Sequence, residues 1–179
     1  VLYFREGRAS TVSVVDQGWH RTLIVNGKAE ASDDPIDGHV QRMLGHVPVL
    51  MHPDPKSAFV LGMGTGITLG AVTAHPGLDE VVLGEIEPVV LGARPFFAAV
   101  NGDPLGDPRL RVRIQDGRNF LRTTTRRFDV ITADPIHPWT SGSVYLYTDE
   151  YYRIARERLT PRGVMCQWLP ITGLAERDV

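Results

Sequence analysis

The sequence predicts an α/β fold in which a Rossmann-like parallel sheet follows a small antiparallel β region. Two observations predict the parallel sheet: apolar runs alternate with helical segments from Ser57 onward, and a glycine-rich turn closes the first run. Short β-branched runs, separated by turn residues, predict the antiparallel region. We therefore divide the chain into a β region over residues 1–35 and a Rossmann-like domain over residues 36–179.

Three runs rich in β-branched and aromatic residues make up the N-terminal region. Turn pairs such as Glu6-Gly7 and Asn26-Gly27 separate them, as expected for short antiparallel strands. The open edges of such a sheet could pair with another subunit, so a homodimer is one expectation. The three runs are Leu2–Phe4, Thr11–Val15 and Thr22–Val25.

A helix is predicted over residues 36–51, because apolar residues recur there at helical spacing. Pro48 has no amide hydrogen and is expected to end or kink this helix. The residues predicted to share its buried face are Val40, Met43, Leu44 and Val47.

Strands and helices alternate through the rest of the chain. The strands at 58–61 and 81–83 are almost wholly apolar, which indicates a sheet covered on both faces. Alternating arginines in the third strand indicate one that is half exposed. The predicted strands are 57–61, 80–87, 110–114, 128–133 and 164–169, and the predicted helices are 68–74, 88–100, 118–123 and 149–159.

Composition limits the classes of function. The 179 residues suit one domain or a small domain with an appendage, and a net charge of −2 provides no field for binding nucleic acid. No apolar run reaches the ~20 residues of a membrane span. The single cysteine, Cys166, excludes a disulfide scaffold, so we expect a reducing, cytoplasmic location and a buried, unreactive thiol. No histidine has metal-ligand spacing, and no metal site is predicted.

Gly62, Gly64 and Gly66 form the turn between the first parallel strand and its helix. Glycine permits positive φ angles and a close approach of the backbone to a ligand. A strand before the turn, a helix after it and an acid about 20 residues later together predict a nucleoside-binding loop. A plain βα turn is the alternative. No Lys-Ser/Thr pair follows, which excludes a phosphate-binding P-loop.

Acidic residues close the next two strands. Glu85 and Glu87 lie at the end of the second predicted strand, where a carboxylate can accept both hydroxyls of a ribose, and strand alternation would send both to the same face. A surface charge pair is the alternative. Asp116-Gly117 follows the third strand, where a carboxylate could bind an adenine amino group.

Asp134 closes the fourth strand at the centre of the predicted crevice, and we assign the chemistry to it. Pro135 and Pro138 stiffen the loop and would hold Asp134 and His137 in place. A fixed carboxylate facing a cation could bind an ammonium group, take its proton or orient its lone pair. A helix cap or a loop turn is the alternative interpretation.

These segments together resemble the spermidine/spermine synthases, the polyamine aminopropyltransferases, over nearly the whole chain. The pattern is most similar to a divergent branch that is sometimes fused to a membrane transporter domain. Each motif alone is unspecific, whereas their combination is specific. The segments that carry the resemblance are Gln41–Pro48, Val81–Glu87, Gln115–Leu121 and Phe128–Asp134.

The resemblance implies a methyltransferase-like domain, truncated at its C-terminus after the fifth strand. It implies decarboxylated S-adenosylmethionine as co-substrate, no metal, and a di- or polyamine as acceptor. On this analogy Glu85 holds the ribose, Asp116 and Gly117 the adenine, and the glycine loop the rest of the donor. Asp134 is then the base at the acceptor amine, and Gln41 lines the amine site.

Two residues depart from the family's pattern. Thr65, within the donor loop, stands where the family has an Asp that holds the donor's aminopropyl amine. His137, assigned to the acceptor side, stands where the family has a second Asp in its active loop. Two anionic contacts to cationic amines are therefore missing. Methyl transfer from S-adenosylmethionine and a non-catalytic nucleoside-binding module stay open as alternatives.

Overall fold

A computed structural model describes residues 1–135, 138 and 142–170, and these residues form two sheets. The strands are β1 (Tyr3–Glu6), β2 (Thr11–Asp16), β3 (Arg21–Val25), β4 (Lys28–Ser32), β5 (Ser57–Leu61), β6 (Glu80–Glu85), β7 (Leu110–Ile114), β8 (Phe128–Ala133) and β9 (Leu159–Gln167). The first sheet is antiparallel, in the order β1-β2-β3-β4. The second is parallel, in the order β7-β6-β5-β8-β9. The predicted α/β class is confirmed.

The antiparallel sheet has one strand more than the sequence predicted. β4 was missed because Lys28–Ser32 holds no β-branched or aromatic residue, yet it pairs along β3. Asn26 and Gly27 both have positive φ angles, of 51° and 77°, as a tight hairpin turn requires. Val12 and Val14, at 0% exposure, point into a hydrophobic core shared with the parallel sheet.

The parallel sheet is covered on both faces, as its apolar strands predicted. Ala58 and Val60 belong to one core, which includes the antiparallel sheet, whereas Phe59 points to the opposite core. Phe59 stacks there on Phe120, with ring centroids 5.2 Å apart. The half-exposed strand is also confirmed, since β7 lies at the sheet edge and its arginines are exposed.

Helix α1 spans Pro35–Met51, and Asp34 caps its first turn. Pro48 was expected to end or kink this helix; that it ends the helix was wrong, and the kink stays a prediction. Pro48 leaves the carbonyl of Leu44 without its helical donor, and the hydroxyl of Thr132 donates to that oxygen at 2.7 Å instead. The predicted buried face was also wrong in part, because Met43 is 45% exposed. The buried residues of α1 are Gly38, Gln41, Leu44, Gly45, Pro48 and Val49.

The remaining helices are α2 (Ile67–Thr73), α3 (Ala98–Asn101), α4 (Gly117–Thr123) and α5 (Asp149–Glu157). The helix predicted over 88–100 is mostly a 3₁₀ helix, Pro88–Phe97, that precedes α3. β9 begins at Leu159 rather than at residue 164, because a register irregularity accommodates the Thr-Pro-Arg-Gly segment. Among the described residues, no helix is long and apolar enough to cross a bilayer.

Candidate active site

The carboxyl ends of three central strands bring the predicted site residues together. Leu61 of β5 pairs with Gly84 of β6 on one side and with Ala133 of β8 on the other. Gly62, Glu85 and Asp134 are the next residues along these strands, so the backbones of Glu85 and Asp134 each lie about one strand spacing, ~4.8 Å, from that of Gly62. β5 is also where the strand order reverses, the position at which ligands of open α/β sheets bind.

The glycine loop is open where a ligand would approach. Gly62, Gly64 and Gly66 have φ angles of 86°, 50° and 83°. A side chain at Gly62 or Gly64 would have no described atom within 4 Å, whereas one at Gly66 would clash with Met63 at 2.7 Å. The first two glycines therefore face free space, whereas a side chain at the third would displace the end of Met63; the positive φ angles favour glycine at all three positions.

Glu85 is buried beneath this loop, at 5% exposure. Its carboxylate accepts the backbone N–H of Met63 at 2.7 Å and that of Glu87 at 2.8 Å. Burial raises the pKa of Glu85; N–H donors from Glu87, Met63 and Ile86 oppose the rise, and the charge of Glu87 adds to it. Such a carboxylate is fixed before any ligand arrives and retains lone pairs for hydroxyl donors.

Glu87 lies elsewhere, so the expectation that both acids share one face was wrong. β6 ends at Glu85, and strand alternation does not extend past it. The Glu87 carboxylate accepts the N–H of Ala9 at 3.1 Å and the hydroxyl of Ser10 at 3.2 Å, both in the turn between β1 and β2. Glu87 therefore connects the antiparallel sheet to the end of β6.

Thr65 and Gln41 are buried and hydrogen-bond to each other, so neither side chain faces open space. Thr65, at 0% exposure, donates its hydroxyl to the amide oxygen of Gln41 at 2.5 Å. The Gln41 amide nitrogen donates to the carbonyl of Ser32 at 3.0 Å. Asn101, which the sequence analysis missed, donates to the carbonyl of Thr65 at 2.9 Å. These bonds hold the glycine loop against α1 and β4.

Asp116 caps α4 beyond the end of β7. Its carboxylate accepts the N–H of Asn119 at 2.6 Å, and its side chain is exposed. Gly117 is buried where a side chain would lie 2.7 Å from Leu61. A packing requirement therefore accounts for this glycine, and the predicted adenine contact of Asp116 and Gly117 stays a prediction.

Asp134 opens onto a cavity at the other side of the glycine loop. Within the described chain its carboxylate takes part in no hydrogen bond, and its side chain is exposed to the cavity. The protein atoms that crowd it raise the pKa of Asp134 to about 7, and the negative charge of Asp37 adds to this rise. Because cavity water hydrates an exposed carboxylate, the shift is largest when a ligand displaces that water.

The cavity, about 580 Å³, lies between the antiparallel sheet, the first turn of α1 and the end of β8. Four carboxyl groups line it, whereas no described lysine or arginine does. The Glu30 carboxylate has no hydrogen-bond partner among the described residues. Burial raises the pKa of Glu30, and the positive charge of Lys28 opposes this rise. The polar lining residues are His20, Thr22, Glu30, Ser32, Asp34, Asp37, Asp134 and Trp168. Such a cavity suits an extended cation.

The strand-end residues were predicted from the sequence, whereas most of the cavity residues were not. Glu30 lies on the unpredicted strand β4, and Asp37 lies in the first turn of α1, where acids are common. Gln41 does not line the cavity directly. His137 lies outside the described residues, so its assignment stays a prediction. Among the described residues no group of three or more potential ligands could hold a metal.

Comparison with protein families gives one match that covers most of the chain. Residues 38–169 match the spermine/spermidine synthase domain. The polyamine aminopropyltransferase of Aeropyrum pernix is 30% identical over 182 residues, covering 98% of this chain and 57% of that protein. The polyamine aminopropyltransferase of Thermotoga petrophila is 33% identical over 122 residues, covering 68% and 41%. The chain thus spans about half the length of the curated relatives it matches.

Solved structures give the same result. A spermidine synthase crystallised with the transition-state analogue AdoDATO matches with a TM-score of 0.81 at 26% identity, over 92% of this chain and 56% of that one. The spermidine synthase of Thermotoga maritima matches with a TM-score of 0.78 at 26% identity, over 92% and 55%. The Rossmann-like sheet with its antiparallel neighbour is therefore an architecture that this chain shares with those enzymes.

Proposed function

Because the chain belongs to the spermine/spermidine synthase family, we propose that it transfers an aminopropyl group from decarboxylated S-adenosylmethionine to a di- or polyamine. Methylthioadenosine would be the second product. One observation carries the proposal: Asp134 stands between the glycine loop and a cavity lined by carboxylates. A cationic acceptor in the cavity would meet the electrophilic carbon of an adenosyl donor at this residue.

The donor would lie along the ends of β5, β6 and β7. Glu85 would accept the ribose hydroxyls, since its carboxylate is already held by two backbone N–H groups. Because Gly62 and Gly64 carry no side chains, the donor could approach the backbone of the glycine loop closely. Asp116, exposed at the start of α4, would accept from the adenine amino group.

The acceptor would extend into the cavity with one amine at Asp134. An amine nitrogen attacks only when its lone pair is free, and a carboxylate with a raised pKa is suited to take the ammonium proton. The nitrogen–carbon bond then forms as the carbon–sulfur bond breaks, and the sulfonium leaves as a neutral thioether. Positioning the two reactants against each other supplies up to ~7–11 kcal/mol in favourable cases.

Gln41 would act on the amine site indirectly. Its amide nitrogen holds the carbonyl of Ser32, a cavity residue, while its oxygen holds Thr65 of the glycine loop. It would therefore fix the distance between donor loop and cavity wall. His137, a homodimer and a cytoplasmic location stay predictions.

Methyl transfer from S-adenosylmethionine is the second candidate, and Thr65 favours it. An uncharged, fully buried residue replaces the carboxylate that would attract the aminopropyl amine, and nothing at that position would repel the carboxylate of the full donor. The cavity argues for the first candidate, because four carboxyl groups favour a polycationic acceptor.

Calorimetric titration separates these functions. The protein is titrated in turn with decarboxylated S-adenosylmethionine, S-adenosylmethionine and methylthioadenosine. Aminopropyl transfer requires tighter binding of the decarboxylated donor, and methyl transfer requires the reverse order. Binding of the nucleosides without turnover in any amine mixture would reduce the chain to a non-catalytic module.

A further inference from the structure

The antiparallel sheet is joined to the loop that follows Glu85 by side-chain contacts. Ala9 and Ser10, in the turn between β1 and β2, donate to Oε2 of Glu87. The hydroxyl of Tyr3 on β1 donates to the carbonyl of Val89 at 2.7 Å. Residues 87–89 are thus held from one side by the β1–β2 hairpin.

The same segment reaches the donor site from its other side. The backbone N–H of Glu87 donates to Oε1 of Glu85, and Oε2 of Glu85 accepts from Met63 in the glycine loop. A continuous series of hydrogen bonds therefore runs from Ser10 through Glu87 and Glu85 to the loop. Every bond in the series is between 2.7 and 3.2 Å.

We propose that Glu87 is a positioning residue for the donor site, in that its contact with the β1–β2 turn fixes the carboxylate of Glu85 for the ribose. This inference rests on the proposed function, because it assumes an adenosyl ligand at Glu85. It also gives the antiparallel sheet a role on the donor side, in addition to the cavity wall that β3 and β4 form.

Two features indicate that this contact is specific. Glu87 is 4% exposed, and a carboxylate is buried without large cost only where donors satisfy it. Gly7 leaves room for it: a Cβ at Gly7 would lie 2.3 Å from the Glu87 carboxyl group. Gly7 is not among the glycines with positive φ, so its backbone conformation does not require glycine.

Gly7→Ala therefore tests the contact without altering Glu87. The added methyl group would meet only the end of a flexible side chain, which can move, so the fold should persist while the contact is lost. Glu87→Gln is the second variant, because it keeps the side-chain volume and removes the charge. Tyr3→Phe is the matched control, since it removes a bond from the same hairpin to Val89 without touching Glu87.

The probes are adenosine, which carries both ribose hydroxyls, and 2′,3′-dideoxyadenosine, which carries neither. Affinities are measured by calorimetry, and thermal unfolding of each variant is recorded in parallel. We expect Gly7→Ala and Glu87→Gln to weaken adenosine about threefold to tenfold, the size of coupling between contacting residues. The affinity for 2′,3′-dideoxyadenosine should not change, and Tyr3→Phe should affect neither ligand.

The outcomes separate the two proposals. Equal adenosine affinity in wild type, Gly7→Ala and Glu87→Gln would overturn the role of Glu87 and leave the proposed function intact. Equal losses for both ligands, or the same loss in Tyr3→Phe, would show a general effect of hairpin docking and would also overturn it. A wild-type protein that binds neither adenosine nor methylthioadenosine would refute the proposed function together with this inference.

Discussion

Two sets of carboxylates differ in their partners: Glu85 on the strand-end edge that we propose binds the donor (the donor edge), and Glu30 and Asp134 in the cavity that we propose binds the acceptor (the acceptor cavity). Asp34 and Asp37, which also line the cavity, are held by backbone N–H groups as Glu85 is. On the donor edge, Glu85 is buried and held by two backbone N–H groups. In the cavity, neither Glu30 nor Asp134 has a hydrogen-bond partner among the described residues, and Asp134 is open to solvent. The first carboxylate is preorganised by the fold, whereas the other two are left for a ligand to satisfy.

This difference follows from the ligands that we propose. A ribose offers neutral hydroxyls, whose hydrogen bonds are directional and benefit from a carboxylate that cannot turn. A polyamine offers charged ammonium groups, for which the sign of the surrounding charge matters more than direction. Substitutions at the donor edge should therefore change nucleoside affinity, and those in the cavity should change amine kinetics.

The largest effect is expected for Asp134→Asn. Loss of the base should lower kcat by about 10²- to 10⁴-fold, because the acceptor amine then keeps its proton. Methylthioadenosine affinity, measured by calorimetry, should stay within twofold or so of wild type, because we propose that the nucleoside binds at the ends of β5 and β6, on one side of this residue. Turnover at the wild-type rate would contradict the assignment of Asp134 as base.

Glu85→Gln should have the next largest effect, and on binding. It keeps the shape of the side chain, removes the charge proposed to accept the ribose hydroxyls, and leaves either Met63 or Glu87 without an acceptor for its N–H. Together these losses should weaken methylthioadenosine by at least about 1.5–3 kcal/mol, or ~10- to 150-fold. The KM for the amine should be unaffected. If calorimetry gave the same nucleoside affinity for the variant and the wild type, Glu85 would not contact the ribose.

The pH dependence of the rate and of the stability should identify Asp134 as the titrating base. The protein atoms that crowd Asp134 raise its pKa to about 7, and a bound acceptor removes the cavity water that would lower it. We therefore expect kcat, which reports the ligand-bound protein, to fall about tenfold per pH unit below that value, as the base becomes protonated. The pKa of Asp134 in the folded protein is above its ordinary value, so ionisation of this carboxyl group opposes folding. Its contribution to the free energy of unfolding should therefore decrease as pH rises from about 4 to 7.

Rate profiles and melting temperatures of wild type and Asp134→Asn, recorded against pH, check both expectations. An inflection near pH 7 that is retained in the rate profile of the variant would contradict the assignment. The melting temperatures are compared as the difference between the two proteins, because the raised pKa of Glu85 acts on both.

Glu30→Gln should have the smallest effect. Glu30 is partly exposed at the cavity wall, and an ion pair in such a position contributes about 0.2–1 kcal/mol, so the KM for a diamine should rise up to about fivefold. Nucleoside affinity should be unchanged. Glu157→Gln, exposed at the end of α5, is the matched control. A KM that is equal in all three proteins would remove Glu30 from the acceptor site.

The sequence was most informative about the donor edge. Strands β5, β7 and β8 have the predicted bounds, because each is a short apolar or alternating run between turn residues. Glu85 ends its strand, and Gly62 and Asp134 directly follow theirs, so the parallel order of the sheet was enough to place the three residues on one edge.

The cavity could not be predicted in the same way. It depends on how the antiparallel sheet docks on the parallel one, and this docking is set by nonlocal contacts such as those of Glu87. Glu30 lies on a strand whose composition does not indicate β structure. Pro48 was misjudged for a related reason, since the bond from Thr132 that allows the helix to continue comes from a distant strand.

Mass spectrometry of the reaction products tests the central claim most directly. The protein is incubated with decarboxylated S-adenosylmethionine and a diamine, and Asp134→Asn serves as the control. We expect equal amounts of methylthioadenosine and of the diamine extended by one aminopropyl group, with both products lost in the variant. A methylated product from S-adenosylmethionine, or no product from either donor although the nucleosides bind, would contradict this claim.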